Sequence, residues 1–317
     1  MKILPRLRIG KLQPRFPIIQ GGMAIRVSTG RLAGAVAREG GIGLIAGSGM
    51  EPDELRAEIR LARSIANGGI VGVNCLVAAA KFMNVMQTAV DEGIDLLVAG
   101  AGFSRDLLAL GQKHGVPVVP IVSTARLAQL AESLGASAVV VEGKEAGGHL
   151  GTTKSSRLLF PLVKEAVKIP VVIAGGITDR EDFEEVLELG IDGIQVGTRF
   201  AASVECNAAD AFKQRYLQAK EGDVFKVHSP VGLPGNALST PFSDAVAQGG
   251  FRPETCDGCL KRCSHIFCIV KALEEAKNGN LDKGLVFAGE HVHKVRKIMT
   301  VQEIFHMFFD GLEFVDA

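Results

Sequence analysis

The sequence predicts a parallel (β/α)₈ barrel, and three observations support this fold class. The chain has 317 residues, which is enough to bury a large core, and barrels of this length commonly form one domain. Short β-branched runs alternate with amphipathic helical stretches as far as about residue 200, the pattern of consecutive βαβ units. Glycine-rich turns follow the seventh and eighth of these runs, where such barrels commonly bind phosphate.

The eight predicted strands are short apolar runs, as expected for strands that are buried on both faces of a parallel sheet. They are Pro17–Gln20, Gly41–Ile45, Ile70–Asn74, Leu96–Ala99, Val116–Ile121, Ala138–Glu142, Pro170–Ala174 and Gly193–Val196. A doubly wound open sheet is the alternative, but the first glycine-rich turn lacks the spacing of a dinucleotide fingerprint.

Helical patterns lie between the strands, for example over residues 51–65, 123–134 and 179–189. No sequence repeat beyond the βα rhythm is evident. We predict that residues 1–205 form the barrel and that residues 206–317 form an appended region of helices and loops. A returning helix over 292–308 is expected to pack on the barrel.

Composition and charge exclude several classes of function. Lys plus Arg and Asp plus Glu each total 35, so the formal net charge is zero, and no basic surface for nucleic acid or an anionic membrane is predicted. No apolar run reaches the length of a membrane span, and the first residues contain no apolar signal segment. We therefore expect a cytoplasmic protein that acts on a small molecule, with neither nucleic acid nor membrane as a partner.

Two glycine-rich turns predict a phosphate site at the carboxyl ends of the last two strands. Gly175 and Gly176 follow the seventh strand, and Gly197 and Thr198 follow the eighth. Glycine allows a phosphate to approach the backbone closely, and Thr198 adds a hydroxyl donor. Tight turns without a ligand are the alternative, which two such turns in adjacent units disfavour.

Other residues with chemical potential follow strands at the same end of the barrel. The pair Gly21 and Gly22 could lie flat against a planar ring, although glycine here could also be purely structural. Asn74 and Cys75 close the third strand, and we expect both side chains to reach the barrel mouth. Asn74 can act there as a hydrogen-bond donor and acceptor. For Cys75, a packing role is favoured over a chemical one. His149 lies on a glycine-rich loop that we expect to be mobile. It suits an acid, a base or a hydrogen-bond donor near neutral pH, with a merely structural histidine as the alternative.

Four segments match a known family in order and in composition. They are residues 17–24 (PIIQGGMA), 142–149 (EGKEAGGH), 174–177 (AGGI) and 195–200 (QVGTRF). Together with Gly284–Gly289, they resemble the nitronate monooxygenase (2-nitropropane dioxygenase) family, which includes the flavin-dependent enoyl-ACP reductases. The resemblance extends over residues 10–205 and resumes over 281–305.

The resemblance implies an FMN-dependent oxidoreductase that acts on nitronates, with His149 in contact with the substrate. An NAD(P)H-dependent enoyl-ACP or enoyl-CoA reductase is the alternative, for which an acyl carrier protein would be a partner. A phosphate-binding isomerase without flavin is the non-redox alternative, and a homodimer is a further expectation. The residues expected around FMN are Gly22, Met23, Asn74, Glu142, Gly148, Gly175, Gly176, Gln195, Gly197 and Thr198.

Four cysteines crowd into residues 256–268, a segment that departs from the family's pattern. They are Cys256, Cys259, Cys263 and Cys268, with the spacing C-x₂-C-x₃-C-x₄-C. Because Gly258 permits a tight turn and the x₃ step returns to the same helical face, the four thiols can converge on one centre. We predict a [4Fe–4S] cluster that exchanges electrons with FMN. The rivals are zinc, held by four thiolates or by three and His265, and uncoordinated thiols.

Overall fold

The structure of the chain is a computed structural model that describes residues 3–249, 253 and 255–314. The strands, in chain order, are β1 (Ile3–Leu4), β2 (Ile18–Gln20), β3 (Ile42–Ala46), β4 (Ile70–Leu76), β5 (Leu96–Gly100), β6 (Val118–Val122), β7 (Val139–Glu142), β8 (Gly148–His149), β9 (Val171–Ala174), β10 (Gly193–Val196), β11 (Val224–His228), β12 (Pro234–Leu238), β13 (Val286–Phe287) and β14 (Glu313–Phe314). The α-helices are α1 (Gly30–Arg38), α2 (Pro52–Ala66), α3 (Phe82–Asp91), α4 (Arg105–His114), α5 (Ala125–Ser133), α6 (Ser156–Ala166), α7 (Arg180–Leu187), α8 (Thr198–Ala201), α9 (Asp210–Leu217), α10 (Pro241–Ala247), α11 (Ile269–Lys277) and α12 (Val301–Phe309). The outer ends of the two predicted regions, at residues 1–2 and 315–317, lie outside the described residues.

Eight parallel strands close into a barrel in the order β10-β2-β3-β4-β5-β6-β7-β9, which confirms the predicted fold class. Each barrel strand coincides with one of the predicted apolar runs. Ile19, Leu44 and Val172 fill the inside of the barrel, and the segment through Leu7 and Ile9 packs in the same cluster. Helices cover the outside, so the strands are apolar on both faces.

Local sequence signals determine where several helices begin. The side chains of Ser104, Thr124 and Asp179 accept backbone N–H groups in the first turns of α4, α5 and α7, as N-cap residues do. Thr300 and Glu303 exchange such bonds in a capping box at the start of α12.

The prediction of one returning helix over 292–308 is wrong for the first half of that range. The chain forms a short 3₁₀-helix over Glu290–Lys294, becomes extended at Val295, and enters α12 only at Val301. The capping box at Thr300 is the physical reason, because it starts a new helix instead of continuing an earlier one.

The region after residue 205 forms a cap that shares structure with the barrel region. Strands β11, β12 and β13 pair in an antiparallel sheet, and β8, which comes from the loop after β7, pairs with β12. In α12, the ring centroids of Phe305 and Phe309 lie 5.5 and 4.6 Å from the ring centroid of Phe16. The boundary at residue 205 therefore stays a proposal. In the part of the chain that the structure describes, no helix is long and apolar enough to span a membrane.

Candidate active site

A cavity lies at the carboxyl ends of the barrel strands, the end at which barrels of this class build their sites. The cap closes over it with Tyr216, Leu260 and Phe287 among others. All of the residues predicted around cofactor and substrate line this cavity: Gly22, Met23, Asn74, Glu142, Gly148, His149, Gly175, Gly176, Gln195, Gly197 and Thr198. The structure brings these residues together, and the role of each remains a prediction.

The turn after β9 forms the end of the cavity that is predicted to hold a phosphate. Gly175 and Gly176 have φ angles of +98° and +68°, which side chains rarely allow. Arg157 of α6 donates from Nη1 to the Gly175 carbonyl at 2.9 Å and from Nη2 to the Gly176 carbonyl at 2.8 Å. The guanidinium therefore fixes the shape of the turn and adds positive charge beside it.

The turn after β10 differs, because its glycine borders open space. A Cβ on Gly197 would meet no heavy atom closer than Met23 Sδ, at 3.8 Å. Thr198 Oγ1 accepts the backbone N–H of Gly289 at 3.0 Å, so its own hydroxyl proton is left to donate. Open space beside a free donor suits an oxyanion.

Two amide side chains in the cavity wall carry unsatisfied oxygens. Asn74 donates from Nδ2 to the Gly22 carbonyl at 3.1 Å. Asn74 Oδ1 and Gln195 Oε1 are buried and have no hydrogen-bond partner among the described residues. Because an unpaired buried acceptor costs about 1–3 kcal/mol, these two oxygens indicate a ligand with N–H or O–H donors.

Cys75 does not reach the cavity, although its position at the end of the strand led us to expect this. Neighbouring residues of a strand point to opposite faces, so Cys75 packs outside the barrel and is fully buried. Its Sγ lies 3.6 Å from Ser48 Oγ, and burial raises the pKa of the thiol to about 11. The packing interpretation of this cysteine is confirmed.

Glu142 ends β7 and lines the cavity. Burial raises the pKa of its carboxyl to about 8, because the surrounding protein disfavours the charged form. At neutral pH the side chain is therefore a carboxylic acid, which can donate a hydrogen bond into the cavity.

His149 lies on β8, opposite Gly235 of β12. Its Nε2 is hydrogen-bonded to Ser229 Oγ at 2.7 Å, and its ring meets that of Phe287 edge to face with the centroids 5.2 Å apart. Burial lowers the pKa of His149 to about 4, so the imidazole is neutral at pH 7. The neutral ring can donate a hydrogen bond or accept a proton, whereas the role of a charged acid near neutral pH is disfavoured.

The glycine-rich loop before His149 is anchored, contrary to the mobility that we expected from its composition. Asn236 of β12 donates from Nδ2 to the carbonyls of Lys144 and Ala146 at 2.7 and 2.8 Å. Lys144 Nζ lies 3.0 Å from Glu290 Oε2. These contacts come from residues that are distant in sequence, and they hold the loop in one position.

The cysteine segment folds back onto the barrel mouth and does not form a separate knob on the surface. Leu260 pairs with Ala79 in a β-bridge, and the backbone N–H of Ala80 donates to the Cys259 carbonyl at 3.0 Å. Cys259 and Leu260 line the cavity itself. The segment is therefore part of the wall of the site.

The Cys259 thiol lies within electrostatic range of the other three thiols of the segment. Burial raises the pKa of Cys259, and the charges of Cys268, Cys263 and Cys256 raise it further. Among the described residues, however, no three His, Cys, Asp or Glu side chains are arranged so that they could hold a metal ion. The iron–sulfur cluster and its zinc rival therefore stay predictions.

Our reading of the sequence missed three residues that shape the site. Arg157 and Asn236 donate hydrogen bonds to backbone carbonyls elsewhere in the chain, and no local sequence pattern indicates such contacts. His291 lines the cavity close to the phosphate turns. Its position two residues after the glycine-ended segment Gly284–Gly289 is a signal that could have drawn attention to it.

Comparisons with known proteins agree with this arrangement. A sequence profile described as nitronate monooxygenase matches residues 6–310. The (3aS,4S,5R,7aS)-5-hydroxy-7a-methyl-1-oxo-octahydro-1H-indene-4-carboxyl-CoA dehydrogenase of Mycobacterium tuberculosis is 32% identical over 236 residues, which are 74% of this chain and 66% of that protein. The chain thus spans about two thirds of the length of this relative. A probable nitronate monooxygenase of Bacillus subtilis is 29% identical over 275 residues, with 74% of this chain and 76% of the relative covered.

Solved structures are also similar to this chain. FabK from Thermotoga maritima superposes with a TM-score of 0.84 at 30% sequence identity, covering 93% of this chain and 91% of FabK. Nitroalkane oxidase from Streptomyces ansochromogenes, at 23% identity and a TM-score of 0.78, shares the fold. Since the family profile covers nearly the whole chain, this protein belongs to the nitronate monooxygenase family of oxidoreductases.

Proposed function

We propose that this chain is an FMN-dependent oxidoreductase that transfers hydride between FMN and the activated carbon–carbon double bond of an acyl thioester. The apolar part of the cavity carries this proposal. Beside His149, the cap contributes Leu260, Ile269, Leu285 and Phe287 to the wall, which suits an acyl group better than a small nitroalkane. FabK and a dehydrogenase of a CoA thioester are among the similar proteins, which supports this class of substrate.

The cavity fits FMN by its own chemistry. At one end, the open space at Gly197 leaves room for a phosphate close to the backbone. In the wall, the unpaired oxygens of Asn74 and Gln195 suit the donors of a flavin ring or of a ribityl chain. When bound, FMN would supply hydride or single-electron transfer, which protein side chains do not provide.

The residues around the proposed reaction centre would bind and orient the substrate. Neutral His149, held by Ser229 and Phe287, would donate a hydrogen bond to the substrate or accept a proton from it. Protonated Glu142 would donate a second hydrogen bond. Apolar cap residues would keep water away from the transferred hydride.

Nitronate oxidation is the second candidate function, because the matching profile and relatives such as the Bacillus subtilis protein carry that name. Anaerobic assays with thioesters and aerobic assays with nitronates separate the two. For the first candidate, we expect NADH or NADPH to be oxidised only when an enoyl-CoA or enoyl-ACP is added. Turnover of nitronate with oxygen, and none of thioesters, would reverse the choice. We also propose an acyl carrier protein as a partner, a homodimer and a cytoplasmic location.

The purified protein is expected to contain FMN and not FAD, because the paired turns form one phosphate pocket and no dinucleotide fingerprint is present. Chromatography of the flavin released by heat or acid identifies the cofactor. FAD, or no flavin after reconstitution with FMN, would contradict the assignment. A colourless protein that binds a phosphorylated sugar would restore the isomerase alternative.

We further propose that Cys256, Cys259, Cys263 and Cys268 bind a [4Fe–4S] cluster that exchanges single electrons with the flavin. Their spacing supports it, as does the place of Cys259 in the wall of the cavity. A cluster at this wall would lie beside the proposed cofactor. Zinc would need the same thiolates but would act only as a structural centre.

Anaerobically purified protein is expected to contain about four irons and four acid-labile sulfides per chain. Cys259→Ser should lower the iron content and change the reductive titration while FMN stays bound. Cys206→Ser is the matched control, because Cys206 is buried near Val27 and does not line the cavity. Stoichiometric zinc without labile sulfide would show that the site is a structural zinc centre and not a cluster. A protein without metal would show that the four thiols are free.

A further inference from the structure

We propose that His291 is a ligand of the phosphate group of the bound cofactor. His291 is one of the residues that line the cavity, and its Nδ1 bonds to Asp182, which also accepts the N–H of Thr178, two residues after Gly176. His291 follows Gly289, whose backbone N–H is bonded to Thr198 Oγ1 at 3.0 Å. The closing segment therefore delivers this side chain to the place where the two turns meet. The inference rests on the proposed binding of FMN and adds an imidazole to a site otherwise built from the two turns and the Arg157 guanidinium beside them.

Asp182 holds the ring of His291 in a defined orientation. His291 Nδ1 lies 3.0 Å from Asp182 Oδ1. Asp182 is only 2% exposed and also accepts Lys294 Nζ at 2.7 Å and the Thr178 N–H at 2.9 Å. The carboxylate is therefore satisfied without His291, so the contact orients the imidazole more than it completes the bonding of Asp182.

The charge state of Asp182 decides which ring nitrogen faces the ligand. Although burial opposes ionisation, the hydrogen bonds from His291 and Lys294 lower the pKa of Asp182 to about 2. A carboxylate can only accept, so Nδ1 must carry the proton of this hydrogen bond. Nε2 is then free for a ligand, and it donates to an oxyanion when the ring carries both protons.

Most of the acidic groups around His291 have a cationic partner, which reduces their repulsion of a phosphate. A cleft on the other side of the ring contains Glu181, Glu185, Glu221 and Glu290 as well as Asp182. Glu185 lies 2.8 Å from Arg157, Glu290 lies 3.0 Å from Lys144, and Glu181 lies 3.6 Å from Lys294. These cations offset most of the local negative charge.

The test compares FMN with riboflavin, which has the same ring and ribityl chain but no phosphate. We expect His291→Ala to weaken FMN binding about ten- to hundredfold, the range for one hydrogen bond to a charged group. Riboflavin affinity should not change. Quenching of flavin fluorescence gives both dissociation constants without any assay of activity.

Two further variants separate the possible causes. His291→Gln can keep the contact with Asp182 through its amide N–H but has no second nitrogen left for the phosphate, so it should lose FMN affinity while the fold is kept. His293→Ala is the matched control, because this ring bonds to the Glu290 carbonyl and does not line the cavity. It should leave both affinities unchanged.

Equal weakening of FMN and riboflavin in the His291 variants would show that the residue only shapes the wall, and the inference would fail. Unchanged FMN affinity would overturn it as well. If the parent protein binds neither flavin, the proposed function itself fails, which is a distinguishable result.

Discussion

Replacing His149 with alanine is expected to lower kcat by about 10²- to 10⁴-fold while FMN stays bound, the typical effect of losing one acid, base or hydrogen-bond donor at a reacting centre. The imidazole belongs to the cap-facing side of the cavity, where it contacts Ser229 and Phe287. The turns that are predicted to hold the phosphate lie on other loops, so the substitution should not weaken FMN binding.

Steady-state kinetics and the flavin absorbance of the same preparation check this expectation. His114→Ala, at the exposed end of α4, is a suitable control and should have the parent kcat. Turnover by His149→Ala at the parent rate would show that His149 has no role in the reaction. Loss of flavin together with activity would instead make it a structural residue of the cavity.

The pH dependence follows from the direction of the pKa shift. Since burial lowers the pKa of His149 to about 4, the ring remains neutral from pH 8 down to about pH 5. Protonation of this group should therefore remove activity only as the pH approaches 4. A loss centred near pH 6.5 that disappears in His149→Gln would show that the ring titrates as an ordinary histidine.

Replacing Gly197 with leucine is expected to weaken FMN binding by about 10²- to 10⁴-fold, because the side chain would occupy the approach to the backbone and remove about two charge-assisted hydrogen bonds. This position is informative because the protein itself has room for a Cβ, with Met23 Sδ as the nearest heavy atom at 3.8 Å. Its φ of −108° is also one that other residues adopt. The fold should therefore survive the change.

Gly176 offers the contrasting case. Its φ is +68°, and a Cβ would lie 2.8 Å from Arg157 Nη1, so Gly176→Leu should lower both FMN affinity and the Tm of the flavin-free protein. Gly197→Leu should lower affinity alone. Calorimetry of the flavin-free proteins and titration with FMN measure the two effects. Normal FMN affinity in Gly197→Leu would mean that the phosphate does not lie at this turn.

The sequence allowed the barrel and the cavity lining to be predicted because both depend on local patterns. Buried parallel strands appear as uninterrupted apolar runs, and barrels place their functional residues directly after those runs. Asn74, Gly176 and Gln195 could be assigned to one site in this way, since each lies near or just after the carboxyl end of a strand.

The remaining features depend on contacts between distant parts of the chain. Arg157 reaches Gly175 from another element, and Asp182 meets His291 across 109 positions. Composition alone also misled us about the loop before His149, because glycines that permit mobility are here held by Asn236. At Cys75, the expectation overlooked the alternation of side chains along a strand.

The pairing of β8 with β12 has a consequence for how the enzyme is made. A ribosome completes the whole barrel, through Val196, before it has added Gly235 and Asn236, the residues that pair with His149 and Gly148. Chains fold progressively from the amino terminus during synthesis. His149 can thus reach its paired position only after β12 has been synthesised, and a chain that stops before Gly235 would lack this pairing.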